Sequence, residues 1–232
     1  MSLGFSPADW QAFGLSLWVA LWSVALGGPL ALAAAFALAR GRFWGRGLLN
    51  LIVHLPLVMP PVVTGYLLLI SFGRRGPVGE LLEQALGLVL SFRWTGAVLA
   101  AVIMAFPLMV RPIRQAIEAV NPRIEEMAAS LGAGPWTVCR TVTLPLIMPG
   151  IVVGAVMGFA KALGEFGATI TFVANIPGQT QTLAGAVHAY LSVPGAEGAA
   201  LRLVGLSVAL SVLALVGAEV LGRRAARRIS GA

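Results

Sequence analysis

The sequence predicts an all-α membrane protein that crosses the bilayer about five times. Hydrophobic residues make up 58% of the 232 residues and charged residues only 11%, whereas soluble domains carry about 25% charged residues. So few charges cannot cover a surface that faces water. Several charge-free stretches also reach about 20 residues, the length that a helix needs to cross the hydrocarbon core. These observations exclude a soluble domain and predict a polytopic bundle.

Five segments have the length and polarity of spanning helices. The second is interrupted by Pro56, Pro60 and Pro61, which predict either a simple kink or a hinge that exposes backbone groups inside the bundle. In the fourth, Gly150, Gly154 and Gly158 form G-x-x-x-G steps, which favour close packing against another helix. The predicted spans cover residues 13–38, 48–72, 94–112, 144–163 and 201–221.

A further apolar segment lies between Glu165 and Glu197, and its centre is polar. No Asp, Glu, Lys or Arg separates these two glutamates, but residues 175–182 read NIPGQTQT, which is too polar to face lipid. We therefore expect two short apolar pieces around a loop that enters the protein or lies at the interface. A sixth span is the alternative.

Arginine is distributed unequally between the two predicted sides of the membrane. If the N-terminus lies outside, eleven arginines fall on the inner side and only four on the outer side. Cytoplasmic loops carry an excess of positive residues, so this asymmetry predicts an N-out, C-in protein. The inner residues are Arg40, Arg42, Arg46, Arg111, Arg114, Arg123, Arg140, Arg223, Arg224, Arg227 and Arg228, and the outer ones are Arg74, Arg75, Arg93 and Arg202. The net charge of +7 therefore reflects the orientation in the membrane, and we expect no nucleic-acid partner. Residues 223–232 form a basic cytoplasmic tail, which is either a simple anchor or a lipid-binding segment.

The segment of residues 121–143 is longer than a connection between two helices needs to be. Asn121 and Pro122 form a helix start, because proline at the first position removes no intrahelical hydrogen bond. Gly132 ends this helix, and Pro135 begins another. Apolar residues three and four positions apart share one face of the first helix. The pattern predicts a short amphipathic helix-turn-helix on the cytoplasmic face of the membrane.

The same segment resembles the EAA loop of ABC importer permeases. Glu126-Met127-Ala128 is followed by Gly132 after three residues and, after nine more, by Val142-Thr143-Leu144-Pro145, in the order E-A-A-x3-G-x9-I-x-L-P. Residues 162–169 (ALGEFGAT) resemble the molybdate/sulfate branch of this family, and residues 55–66 (LPLVMPPVVTGY) resemble the molybdate permeases within it. The resemblance covers residues 10–222, and the choice between molybdate, tungstate and sulfate stays open.

The resemblance implies a type I ABC importer permease fold in the bacterial inner membrane, and it implies partners. These are a second copy of the chain, two cytoplasmic ATPase subunits that bind ATP and magnesium, and a periplasmic or surface-anchored oxyanion-binding protein. The residues that it assigns to coupling with the ATPase are Glu126, Ala128, Ala129, Leu131, Gly132, Leu144 and Pro145.

A translocation path for an oxyanion calls for backbone N–H groups and hydroxyl groups, since a carboxylate repels an anion. Lys161 and Glu165 lie one helical turn apart, either as an ion pair that stabilises the helix end or with Glu165 shaping an outer gate. The residues predicted for the path or gate are Pro60, Pro61, Thr64, Gly164, Glu165, Gly167, Thr169 and Thr171.

The chain lacks the residues that would make it an ATPase or a metalloenzyme. A P-loop requires G-x-x-x-x-G-K-[ST], and the single lysine, Lys161, stands between Ala160 and Ala162. His54, His188 and Cys139 are too isolated in sequence to indicate a metal site. We therefore expect a transport subunit that binds no cofactor or metal itself. The alternative is a secondary transporter or channel for a small anion, which would require internal repeats and membrane-embedded titratable groups.

Overall fold

Helices form all of the regular secondary structure in the part of the chain that the structure describes. The computed structural model describes residues 4–230, and within its last helix it describes side chains up to residue 217 and at positions 220 and 222. The α-helices are α1 (Pro7–Arg40), α2 (Arg46–Val58), α3 (Pro61–Phe72), α4 (Pro77–Leu86), α5 (Trp94–Ala119), α6 (Pro122–Ser130), α7 (Pro135–Val138), α8 (Leu144–Leu163), α9 (Gly167–Phe172), α10 (Leu183–Leu191) and α11 (Glu197–Ser230), and a π-helical turn (Cys139–Thr143) joins α7 to α8.

Four of the predicted spans are continuous helices that are long and apolar enough to cross a membrane. They are Pro7–Arg40, Trp94–Ala119, Pro135–Leu163 and Glu197–Gly217. Helix α5 extends seven residues beyond the predicted end of the third span at residue 112, because the helix continues past Pro107 and Pro112. The predicted basic tail begins inside α11, whose helical backbone runs to Ser230. The side chains of its four arginines and residues 231–232 lie outside the described part.

The second predicted span is broken into α2 and α3, whose axes differ in direction by 116°. Pro60 and Pro61 explain the break, since neither can donate a backbone hydrogen bond and a proline inside a helix clashes with the preceding turn. Helix α2 ends with the bond from Met59 N to the Leu55 carbonyl, and α3 begins with Pro61 as its first residue. The structure therefore has a sharp break at Pro60, where the sequence predicted either a kink or a hinge. The expectation that Pro56 also breaks the helix is wrong, because Pro56 lies inside α2, in its last turn.

Two of the three clusters of buried side chains lie toward opposite ends of the bundle. One contains Leu38, Val53 and Ile117, and we call this the α6 end because α6 follows α5 there. The other contains Leu68 and Phe172, and we call this the α9 end. Helix α2 contributes to the first cluster and α3 to the second, so the broken pair contacts both parts of the bundle.

Helices α5 and α8 approach each other closely along a stripe of glycines. A Cβ added at Gly154 would lie 2.8 Å from the Met109 carbonyl oxygen, and one added at Gly150 would lie 2.9 Å from the carbonyl oxygen of Pro112. The close packing predicted for the G-x-x-x-G steps is therefore made within one chain, against α5.

The polar segment of residues 175–182 is a loop between two short helices, as predicted, with its tip at residues 177–179 exposed and its last three residues buried. Its residues Thr180, Gln181 and Thr182 are buried, and Leu183 N–H at its end donates to the Ser16 hydroxyl of α1 at 2.7 Å. Helices α9 and α10 have six and nine residues, far fewer than the roughly 20 that a span requires. The alternative of a sixth span is therefore wrong.

Candidate coupling site and translocation path

Helix α6 begins and ends where its sequence predicts. The Asn121 side chain caps the first turn by accepting a hydrogen bond from Arg123 N–H at 3.1 Å, with Pro122 as the first helical residue. At the other end Gly132 has a φ of +89°. Gly132 N–H donates to the Ala129 carbonyl and Ala133 N–H to the Ala128 carbonyl, which is the Schellman arrangement that satisfies the last carbonyls of a helix.

The outer face of α6 is apolar and has no cover from the described part of the chain. No residue of α6 is buried, and Met127 and Leu131 are 68% and 90% exposed. Trp136, just after the turn, is 77% exposed. Apolar side chains grouped on a surface in this way mark a protein-binding or membrane-binding site. Of the predicted coupling residues, Leu131 and Gly132 are exposed at this surface and Ala128 is half-buried. Glu126 and Ala129 are exposed too, but they line a cavity on the side of α6 that carries Glu125.

Leu144 and Pro145 lie apart from this surface, at the start of α8. Leu144 packs partly buried against the cluster at the α6 end, so it contributes to the bundle. Pro145 follows it in the first turn of α8 and is exposed. The structure therefore separates the predicted coupling set into residues of the exposed α6 region and a helix start that connects to the membrane bundle.

The inner face of α6 is held by Glu125, a residue to which the sequence assigned no coupling role. Its carboxylate lies 3.1 Å from the Arg40 guanidinium and accepts a hydrogen bond from the Thr143 hydroxyl at 2.7 Å. Arg40 is the last residue of α1, and Thr143 is buried at the end of the π-helical turn. Nothing in the sequence relates three residues so far apart, so only the fold brings them together.

At the α9 end, Glu165 joins α8 to α9. This side chain is 2% exposed, receives a hydrogen bond from Lys161 Nζ at 2.7 Å, and accepts another from Ala168 N–H at 3.0 Å. Since Ala168 belongs to the first turn of α9, the carboxylate both pairs with Lys161 and holds α9 against the end of α8. The structure therefore shows the ion pair of the first interpretation, and a role of Glu165 in shaping an outer gate stays a prediction.

Helix α3 packs directly against α9 beside this pair. A Cβ added at Gly167 would lie 2.6 Å from Pro61 Cβ, and one added at Gly65 would lie 2.9 Å from Ala168 Cα. Thr64, which lies between Pro61 and Gly65 in α3, is buried, and its hydroxyl is without a hydrogen-bond partner among the described residues. The Thr171 hydroxyl donates to the Gly167 carbonyl at 3.2 Å.

The remaining predicted path residues lie around this contact in different environments. Pro60 is exposed at the break between α2 and α3, Gly164 is exposed at the end of α8, and Thr169 is buried in α9. Within the described residues there is no group of three or more His, Cys, Asp and Glu side chains that could hold a metal ion.

A bundle of apolar spans with an exposed helix-turn-helix at one end defines the chain as a multi-pass membrane protein. Residues 27–227 match the family of binding-protein-dependent transport system inner membrane components. The chain belongs to this family, so it is a multi-pass inner-membrane transport subunit and not an enzyme. The predicted membership of the ABC importer permeases is thereby confirmed.

Two relatives match almost the whole chain. The molybdenum transport system permease protein ModB of Escherichia coli (strain K12) is 52% identical over 215 residues, which cover 93% of this chain and 94% of the relative. The protein of the same name from Haemophilus influenzae is 47% identical over 219 residues, which cover 94% and 96% of the two chains.

Solved structures support the fold at lower sequence identity. A bacterial ABC transporter involved in the import of alginate aligns with a TM-score of 0.73 and 19% identity, covering 96% of this chain and 82% of the other. The methionine ABC transporter MetNI, in an inward-facing conformation, aligns with a TM-score of 0.68 and 15% identity, covering 94% of each chain. The bundle described here is thus the fold of ABC importer permeases.

Proposed function

We propose that this chain is the permease subunit of an ATP-driven importer for molybdate, with tungstate and sulfate as the other oxyanions that its path could carry. The observation that carries the proposal is the 52% identity to a molybdenum permease along nearly the full length of both chains. Relatives this similar over their whole membrane domain share the helices that would line the path. The transported ion therefore follows from a likeness of the entire bundle, and not of one motif.

The energy for import comes from a separate ATPase that docks on α6. Support comes from the apolar face of Met127 and Leu131, which is exposed next to the carboxylate of Glu126. An apolar centre with a charged residue at its edge is the usual composition of a protein interface. A family of binding-protein-dependent permeases also calls for an external binding protein, which would deliver the oxyanion at the opposite end. ATP and magnesium belong to the ATPase in this scheme.

Two copies of the chain enclose one central path and bind two ATPase subunits. The strongly exposed apolar residues of α2 and α3, among them Val58 at 84%, leave ample surface for lipid and for a second copy. The mass of the purified complex tests this arrangement. Two permeases with two ATPases are expected, and a complex with a single permease would contradict the homodimer.

The α6 end faces the cytoplasm and the α9 end faces outward. This orientation rests on the eleven-to-four distribution of arginine. After replacement of Cys139 by serine, a cysteine at Ala129 on α6 should be shielded from an impermeant thiol reagent in intact cells, whereas one at Gln179 in the loop before α10 should react. Reaction at position 129 from outside would reverse the orientation.

The oxyanion passes beside the contact of α3 with α9. Support comes from the buried Thr64 hydroxyl, which has a free donor, and from the sharp break at Pro60, which interrupts the helix next to it. A hydroxyl group can donate to an oxyanion without adding charge. Thr64→Val removes the donor and keeps the shape, so it should slow uptake while leaving the amount of assembled complex unchanged. Uptake at the wild-type rate would remove Thr64 from the path.

Selectivity is tested with radiolabelled molybdate and unlabelled competitors. In cells that depend on this permease, excess molybdate and tungstate should both suppress uptake of the label, and sulfate should do so less. Suppression by sulfate alone would assign the importer to sulfate. Uptake that continues after deletion of the partner ATPase would favour the secondary transporter or channel.

A further inference from the structure

One carboxylate connects α6 to three helices of the membrane bundle. Glu125 Oε2 lies 3.1 Å from Arg40 Nη2 at the end of α1, and Glu125 Oε1 accepts from the Thr143 hydroxyl at 2.7 Å. The same Arg40 nitrogen donates to the Ile117 carbonyl of α5 at 3.4 Å. We call Arg40, Glu125 and Thr143 the α6 clamp.

The α6 clamp lies on the opposite side of α6 from the apolar docking face. Glu125 and Arg40 side chains are 22% and 35% exposed, and Thr143 is buried, whereas Met127 and Leu131 project into solvent. Hydrogen bonds in which one partner is ionised are shorter and stronger than neutral ones, so they fix geometry as well as distance. A force applied to the docking face is therefore carried to the bundle through the clamp.

The Thr143 side of the clamp leads into α8 through an irregular turn. Thr143 is the last residue of the π-helical turn, and Pro145 follows in the first turn of α8. A proline ring clashes with the carbonyl four residues earlier in a regular α-helix, and the wider π-helical turn relieves this clash. Single π-helical turns are frequent at functional sites.

Helix α8 extends from this turn to the Lys161–Glu165 pair at the α9 end. Its glycine stripe keeps it in close contact with α5, which also ends beside the clamp at Ile117. The clamp therefore touches the ends of the three helices, α1, α5 and α8, that pack together along the bundle.

We propose that Glu125 is a positioning residue that transmits the movement of α6 to the membrane helices, separately from docking of the ATPase. This inference rests on the proposed function, because it needs an ATPase that moves α6. Docking depends on the outer face around Met127, and transmission depends on the inner face at Glu125. Loss of the clamp should therefore leave an assembled complex that hydrolyses ATP and imports little.

The test compares coupling in the complete complex with its ATPase and binding protein, reconstituted in liposomes. Glu125→Gln removes the ion pair, Thr143→Val removes the hydroxyl, and Thr143→Ser restores it. Glu118→Gln is the matched control, because Glu118 forms an exposed pair with Arg114 in the last part of α5. The measurements are ATPase co-purification, ATP hydrolysis and uptake of radiolabelled molybdate.

Glu125→Gln and Thr143→Val should co-purify the ATPase as the wild type does and keep its basal ATP hydrolysis. They should import molybdate about tenfold more slowly, the effect expected when a hydrogen bond to a charged group is lost. The number of ATP molecules hydrolysed per molybdate should rise by the same factor. Thr143→Ser and Glu118→Gln should couple as the wild type does.

A wild-type ratio of ATP to molybdate in both clamp variants would overturn the inference. Loss of uptake in proportion to lost ATPase binding would overturn it as well, since Glu125 would then belong to docking. If Glu125→Gln does not accumulate in the membrane, the comparison of Thr143→Val with Thr143→Ser decides. The wild-type complex distinguishes failure of this inference from failure of the proposed function. If the wild-type complex shows no ATP-driven uptake, the proposed function itself is contradicted.

Discussion

Serine substitutions at two neighbouring glycines provide a matched test of how α6 ends. Gly132 has a φ of +89°, and a Cβ there would meet no atom within 4 Å, so a side chain is opposed only by the backbone conformation. That conformation costs a residue with a Cβ about 1–2 kcal/mol. Gly134 has a φ of −66° and a ψ of 160° as the N-cap of α7, a position where serine is favoured.

Gly132→Ser should therefore shift the equilibrium between the native ending of α6 and altered endings by a factor of about 5–30, which is the ratio that 1–2 kcal/mol produces. The assay is the dissociation constant between solubilised permease and its ATPase, measured on protein with wild-type levels in the membrane. Binding should weaken by about that factor for Gly132→Ser, whereas Gly134→Ser should stay within about twofold of wild type. Equal affinities for Gly132→Ser and wild type, or equal losses for both variants, would refute the reasoning.

Two further predictions concern stability of the bundle. Lys161→Met should lower the melting temperature of the permease more than Glu165→Gln does. Lys161→Met leaves the Glu165 carboxylate, which is 2% exposed, without its counter-charge, whereas in Glu165→Gln the new amide still accepts hydrogen bonds and Lys161 keeps contact with water. The opposite order of melting temperatures would contradict this account of the pair. Gly154→Ala should destabilise the permease by about 1–3 kcal/mol through overpacking, since its Cβ would press on the Met109 carbonyl oxygen at 2.8 Å. Gly28→Ala is the control, because a Cβ there meets nothing within 4 Å. Equal melting temperatures for both variants would show that α8 and α5 are not tightly packed.

The fold class and the ends of α6 could be predicted because their causes are local. The bounds of α6 follow from Asn121-Pro122 and Gly132, whose backbone preferences act within one turn. The apolar length of each span depends only on consecutive residues. Proline also marked the break at Pro60, although the 116° angle depends on how α3 packs against α9.

The contacts that depend on long-range packing could not be predicted. Glu125 lies in the first turn of α6, but its partners Arg40 and Thr143 come from elements whose arrangement the sequence does not show. Helix α4, from Pro77 to Leu86, was missed because it is too short and too polar for a span. The Lys161–Glu165 pair was predicted from its spacing of one turn, whereas the bond from Ala168 N–H to Glu165 required the turn between α8 and α9.

Uptake into liposomes that contain defined components tests the central claim most directly. The permease alone, the permease with its ATPase, and the complete set with the binding protein are compared with ATP inside the liposomes or with a proton or sodium gradient. Concentrative uptake of molybdate is expected only with the complete set and ATP. Concentrative uptake by the permease alone, driven by an ion gradient, would contradict the assignment of this chain as the membrane subunit of an ATP-driven importer.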